Sequence, residues 1–301
     1  MSSEERTNRI YGLLGRNISY SLSPLMHNTA FEYHQIPAEY RLFDVAEDDL
    51  RDFLIHAVKD GSISGFNVTV PYKMKVRAVL EDDPDIKIVA DDWIDLLGAV
   101  NTVKIEGDTV RLSNTDTQGF IRSLRTDTGY DVSRADEILI AGAGGAGRAI
   151  SLYLAMMSRG VRINVYDIDA DKLLCLKETF DDNLDVLGHN VLNPISSPES
   201  LEQAVRGSSL VVNATPLGSR PGERTPIPVD AIPEGAAVYD LVYARKTELV
   251  EQARKMGLKA SGGLGMLVAQ GALAFTIWTG ADTEETRNVM MHEVKGKLGI
   301  E

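Results

Sequence analysis

GlyAlaGlyGlyAlaGly at positions 142–147 is the stretch that most narrows the folds open to this chain. It follows the apolar run GluIleLeuIleAla (137–141) and opens an apolar segment from Ala146 to about Ser158. A strand, a glycine turn and a helix in that order form the phosphate-binding corner of a βαβ unit. Glycine permits the tight turn, lets backbone approach a pyrophosphate, and lets helix pack closely on strand. Gly142, Gly144, Gly145, Ala146 and Gly147 are therefore candidate dinucleotide contacts, with helix N-terminal N–H groups meeting the phosphates. About 20 residues further on, the next strand ends at Asp167, where a carboxylate accepts hydrogen bonds from ribose hydroxyls and repels a 2′-phosphate. That favours NAD. Arg162 and Asp169 nearby keep NADP open.

Strands and helices alternate on both sides of this corner. Downstream, strands read at 161–166, 210–213 and 237–241, with helices from Ala170 and over 247–256. Upstream, strands read at 10–14, 39–45 and 65–70, with helices after Pro24, Glu47 and Pro71, two of them opened by proline. This is an α/β pattern built around a doubly wound parallel sheet. A chain of 301 residues exceeds one usual core, so two domains are expected, with a boundary in AsnThrAspThrGlnGly near Asp116. Segments 264–278 and 283–298 read as two helices with no strand between them. Periodicity does not say where they pack.

A formal charge of -13 disfavours nucleic acid and anionic membrane surfaces as partners. An anionic substrate would have to be met by local donors. The single cysteine, Cys175, excludes a disulfide within the chain and suits a reducing cytoplasm; LysLeuLeuCysLeu around it reads as the buried face of a helix. The N-terminus MSSEERTNR is polar with no apolar run behind it, and no stretch approaches a membrane span. A cytoplasmic protein is expected, and a homodimer is compatible with the pattern. The five histidines show no metal-ligand spacing, so no metal is expected.

Polar clusters crowd the first domain. In SerTyrSerLeuSerProLeuMetHisAsn (19–28), Ser23 before Pro24 reads as a helix N-cap, while Ser21 and Ser23 together would make a neutral carboxylate clamp. In GlyPheAsnValThrValProTyrLys (65–73), Asn67 and Thr69 alternate toward one strand face. Lys73 falls in a first helical turn, where the dipole disfavours it unless it serves a function. Asn101 in GlyAlaValAsnThrVal reads as a turn residue or a ligand, and Asp116 in AsnThrAsp as a helix cap or a ligand. Gln270 is the one strongly polar residue of the apolar stretch 266–275 and needs a partner there.

In this order, SLSPLMHN, GFNVTVPYK, GAVNT, NTD, GAGGAG, NATPLG and GGLGMLVAQGALAF resemble the shikimate/quinate dehydrogenase family, from about Ile10 to Gly280. The resemblance implies an NAD(P)-dependent dehydrogenase that reversibly oxidises a ring hydroxyl of a small hydroxylated cyclic carboxylate. Its fold would be an α/β substrate domain (1–115 with 267–301) and a Rossmann-like domain (116–266). It assigns Ser21 and Ser23 to the carboxylate, and Asn67, Thr69, Asn101, Asp116 and Gln270 to ring hydroxyls. Lys73 and Asp116 would be the catalytic pair. Asn213, Thr215, Leu217, Tyr243, Gly265 and Met266 would lie by the nicotinamide. The chemistry agrees, because oxidising a secondary alcohol needs an acid/base group at the hydroxyl as hydride leaves carbon.

Two departures bear on substrate and cofactor. Thr117 follows NTD where many members carry glycine, and Tyr166-Asp167 stands where NADP users typically carry Asn-Arg. An NAD-linked quinate or quinate/shikimate enzyme fits these exchanges better than a strictly biosynthetic one. An amino-shikimate dehydrogenase, a dehydrogenase of a folate-like methylene donor and a catalytically silent ligand sensor are the other readings. Retention of both Lys73 and Asp116 argues against a silent sensor.

Overall fold

In the computed structural model, residues 9–220, 222–243 and 245–300 are described. All but the last residue of the polar MSSEERTNR stretch lies outside them. The chain divides into two compact units, Met1–Asp116 with Val268–Glu301, and Thr117–Leu267. It passes from one unit to the other within the helices Thr115–Thr128 and Leu264–Thr279.

The first unit holds β1 (Arg9–Gly15), β2 (Ala38–Asp44), β3 (Ile63–Val68), β4 (Lys87–Ala90), β5 (Thr102–Glu106) and β6 (Thr109–Ser113) in the order β2-β1-β3-β5-β6-β4. β1 pairs in parallel with β2 and β3. The β5/β6 hairpin turns at Gly107 (φ 65°) and joins β3 antiparallel, so this sheet is mixed. Val103, Ile105, Val110 and Leu112 alternate into the core with Leu14, Leu54, Phe66 and Leu80. The unit's helices include Ser23–Tyr33, Leu50–Lys59 and Thr283–Leu298, and the helix Leu264–Thr279 joins it from Val268 onward.

The second unit holds β7 (Glu137–Ala141), β8 (Arg162–Tyr166), β9 (Val191–Ile195), β10 (Leu210–Asn213), β11 (Ala237–Asp240) and β12 (Lys259–Gly262), all parallel, in the order β12-β11-β10-β7-β8-β9. The strand order reverses at β7/β10, the switch point of a doubly wound sheet, and the glycine turn leaves β7 there. Leu139, Val205, Val211, Val238 and Leu249 fill one side of this sheet.

Three local expectations are corrected. Cys175 is exposed, because Leu173, Leu176 and Phe180 occupy the buried phase of its helix. The helix expected after Pro71 begins only at Val76. Residues 70–75 form turns in which Tyr72 N–H bonds the Thr69 carbonyl and Lys75 N–H bonds the Tyr72 carbonyl. The Lys73 carbonyl accepts from Val100 N–H at 2.8 Å, which diverts it from helical pairing. Lys73 therefore sits in a turn, and its supposed conflict with a helix dipole disappears. Ser23 is not a cap either, since it is already helical. The Ser21 Oγ instead accepts the Ser23 N–H at 3.1 Å.

Candidate active site

In the first unit, separate elements bring the predicted polar residues together. Lys73 Nζ donates to Asp116 Oδ2 at 2.7 Å, with both side chains largely screened from solvent, at 20% and 12% exposure. The turn that carries Lys73 is tied to Val100 through the backbone, one residue before Asn101. Asp116 lies in the first turn of the helix from Thr115. That helix is entered through Asn114, whose Oδ1 accepts the Asp116 N–H at 3.1 Å and whose Nδ2 donates to the Ala99 carbonyl. Asn114, not Asp116, fills the capping role, leaving the Asp116 carboxylate to the lysine.

Asn101 and Asn67 are deeply buried and heavily bonded. The Asn101 Oδ1 accepts the Thr115 N–H at 2.7 Å and the Thr102 hydroxyl at 2.9 Å, and its Nδ2 donates to Thr115 Oγ1 at 3.0 Å. Asn67 Nδ2 donates to the Asn101 carbonyl and to Thr102 Oγ1, at 3.2 and 3.1 Å, and its Oδ1 accepts from the Tyr40 hydroxyl at 2.8 Å. Ser21 Oγ donates to Ser23 Oγ at 3.1 Å. Thr69 is half-buried just past the end of β3, and Gln270 is half-buried in its helix. Thr117 is fully buried. Tyr40, Thr102, Thr115 and Asn114 were not singled out from the sequence. Thr102 and Thr115 are immediate neighbours of chosen residues and Asn114 lies two before Asp116, whereas Tyr40 lies on a strand whose pattern signals only packing.

In the second unit, the glycine turn has the shape its sequence demands. Gly142 takes φ 108°, and a Cβ there would stand 2.9 Å from the Ala214 backbone. At Gly147 a Cβ would come within 1.9 Å of the Gly142 carbonyl, so helix and turn touch. Gly144 and Gly145 have nothing within 4 Å of a built Cβ, and the helix from Gly145 lacks a side-chain cap. Open space against unsatisfied N–H groups, with Ala146 in the first turn, is a cradle that fits a pyrophosphate. Asp167 accepts Ala143 N–H at 2.7 Å and Asp169 N–H at 2.9 Å, which ties the end of β8 to the turn.

The Asn213 turn is self-contained. Asn213 Oδ1 accepts from Thr215 N–H and Oγ1, and its Nδ2 donates to Leu217 O and Asp240 Oδ1. Asn213 is fully buried and shapes the turn, while Leu217 is 41% exposed at its tip. Tyr243 is half-buried beyond β11. At Gly265 a Cβ would lie 2.2 Å from Asp127 Oδ2, so a larger residue would displace the Asp127 and Ser123 side chains. Asp127 accepts from Ser123 Oγ at 2.5 Å, and Ser123 also meets the Tyr239 hydroxyl at 2.6 Å. Burial pushes the Tyr239 phenol up, and Met266 beside Gly265 hydrogen-bonds it through the backbone.

The fold and these side chains define a two-unit α/β protein with a dinucleotide-type corner in one unit and a partly buried lysine–aspartate pair among amides and hydroxyls in the other. A family model described as the shikimate dehydrogenase substrate binding domain matches residues 13–103, and one described as the shikimate 5'-dehydrogenase C-terminal domain matches residues 263–291. A protein of Methanopyrus kandleri named shikimate dehydrogenase (NADP(+)) is 35% identical over 300 residues, 98% of this chain and 99% of its own. The structure of shikimate 5-dehydrogenase from Thermus thermophilus in complex with shikimate is 30% identical with a TM-score of 0.79, covering 97% of this chain and 100% of that one. Quinate dehydrogenase from Corynebacterium glutamicum in complex with NAD is 27% identical with a TM-score of 0.80, covering 95% and 99%. The chain belongs to the shikimate dehydrogenase family.

Proposed function

We propose that this chain is a nicotinamide-dependent dehydrogenase that reversibly oxidises one ring hydroxyl of shikimate, quinate or a close relative to the ketone. The observation that carries the reading is the Lys73–Asp116 pair at 2.7 Å beside buried Asn67 and Asn101. Ser21 and Ser23 hold the substrate carboxylate, which a chain of charge -13 must meet with local donors. Asn67, Thr69, Asn101 and Gln270 select ring hydroxyls. As the carbinol is oxidised, its hydroxyl proton passes to the Lys73–Asp116 pair, and Asp116 keeps the amine aimed at that oxygen. The dinucleotide, when bound, takes the hydride. Gly142, Gly144, Gly145, Ala146 and Gly147 hold its pyrophosphate, while Thr215 and Leu217, in the turn that Asn213 shapes, flank the nicotinamide with Tyr243, Gly265 and Met266.

NAD is the preferred cofactor in this reading. Asp167 ends β8 with a carboxylate that would repel a 2′-phosphate and accept from ribose hydroxyls. The relative from Methanopyrus kandleri is named for NADP(+) and the Corynebacterium glutamicum structure holds NAD, so both preferences occur within the family. Among the described residues no helix is long and apolar enough to cross a membrane. The test is initial-rate reduction of NAD and of NADP with shikimate and with quinate. Faster NAD reduction is expected. Activity with NADP alone would overturn the role of Asp167, and no activity with any pair would overturn the function.

A further inference from the structure

The motif at 19–28 ends in His27-Asn28, which the proposed chemistry leaves unused, and the structure shows what they hold. Asn28 clamps the backbone of Tyr40 on the edge strand β2, donating from Nδ2 to its carbonyl at 3.0 Å and accepting its N–H at 2.8 Å. His27 stacks on the Tyr40 ring at 4.3 Å and 8°. Tyr40 is thus fixed at backbone and ring by the helix that Ser23 opens. Its hydroxyl is the only polar atom of its side chain, and the residue is 2% exposed.

The hydrogen-bond direction at that hydroxyl follows from its neighbours. The Asn101 backbone carbonyl can only accept, so the Asn67 amide must turn Nδ2 toward it and Oδ1 toward Tyr40. Tyr40 must then donate to Asn67. Directed bonds therefore run from Tyr40 through Asn67 to the Asn101 carbonyl, while the Asn101 side chain separately accepts the Thr115 N–H immediately before Asp116.

We propose that Tyr40 is a positioning residue that fixes the Asn67 amide at the ring-hydroxyl end of the substrate site. The proposal rests on the functional reading above. Such contacts act on bound substrate and transition state alike, so their loss raises KM and leaves kcat. Tyr40→Phe keeps the ring on His27 and removes only the hydroxyl.

The experiment is steady-state kinetics with the acid varied for wild type, Tyr40→Phe, Asn67→Ala and the double variant. Tyr40→Phe is expected to raise the KM of the acid about tenfold, the loss from one buried hydrogen bond, with kcat and the dinucleotide KM within about twofold. In the Asn67→Ala background it should change the KM of the acid little further. Additive effects, or a lowered kcat with an unchanged KM for the acid, would overturn the proposal. Exchange of the Asn67 side-chain amide protons in asparagine-labelled protein gives a second readout that needs no turnover. Exchange about tenfold faster in Tyr40→Phe supports the link, and unchanged protection overturns it. If wild type oxidises no acid, the functional reading falls on that result alone, while the amide measurement still decides the role of Tyr40.

Discussion

Acidification from pH 7 to pH 5 is expected to destabilise the first unit by about 2 kcal/mol through His27 alone. Its imidazole is wholly buried among Tyr40, Phe275 and Trp278, and among the described residues neither ring nitrogen has a hydrogen-bond partner. Burial alone pulls its pKa down to about 3. In the unfolded chain an imidazole titrates near 6.5, so below that pH the unfolded state takes up a proton that the folded state refuses. The sign follows: this contribution is intact at neutral pH, falls away as pH drops below about 6.5, and keeps falling to about 3. At pH 5 the unfolded histidine lies about 1.5 units below its pKa, and at about 1.4 kcal/mol per unit the loss is about 2 kcal/mol. Trp93 and Trp278 are the only tryptophans and both belong to the first unit, so their fluorescence follows its unfolding. Urea transitions at pH 7, 6 and 5 would be compared between wild type and His27→Phe, which share every carboxylate. The variant should lose about 2 kcal/mol less over this range. An equal pH dependence in both proteins would refute the reasoning.

Lys73→Ala is expected to lower kcat by roughly 10²- to 10⁴-fold while dinucleotide binding, followed by cofactor fluorescence, is retained; loss of both would make the lysine structural. Asp167→Ala should narrow the ratio of kcat/KM for NAD over NADP, and an unchanged ratio would remove Asp167 from the ribose contact. Gly147→Ala places a methyl where only 1.9 Å separates it from the Gly142 carbonyl, so dinucleotide binding measured by calorimetry should be lost or the second unit should melt at lower temperature.

Much of the fold was legible because its signals are local. The strand and helices at 210–213, 247–256, 264–278 and 283–298 match the observed elements within a residue or two, since each has its own period and its own end signals. The glycine turn was legible for a stronger reason, as Gly142 and Gly147 are constrained by backbone that no other side chain could pass. The β5/β6 hairpin was missed although it announces itself, with Val103, Ile105, Val110 and Leu112 alternating around Gly107. The delayed helix after Pro71 could not have been read at all. It depends on Val100 N–H reaching the Lys73 carbonyl, a contact between residues far apart in sequence.

The same distinction separates the two kinds of site residue. Lys73, Asp116, Asn67 and Asn101 draw notice because charge and amides are out of place in apolar strands and tight turns. What orients them is different in kind. Asn114 looks like an ordinary turn residue and Tyr40 like an ordinary aromatic of a half-buried strand, and only the fold shows that each has a polar atom aimed at a residue chosen for its chemistry. In the proposed function, a substrate anion meeting a strongly acidic chain has no help from the overall field, so its recognition falls on neutral donors whose direction must be fixed before it arrives. The proposed selection of ring hydroxyls makes the same demand on Asn67 and Asn101, and both are thoroughly bonded within the protein. An amide free to flip would offer a donor and an acceptor indifferently, and ring hydroxyls could not be told apart by it.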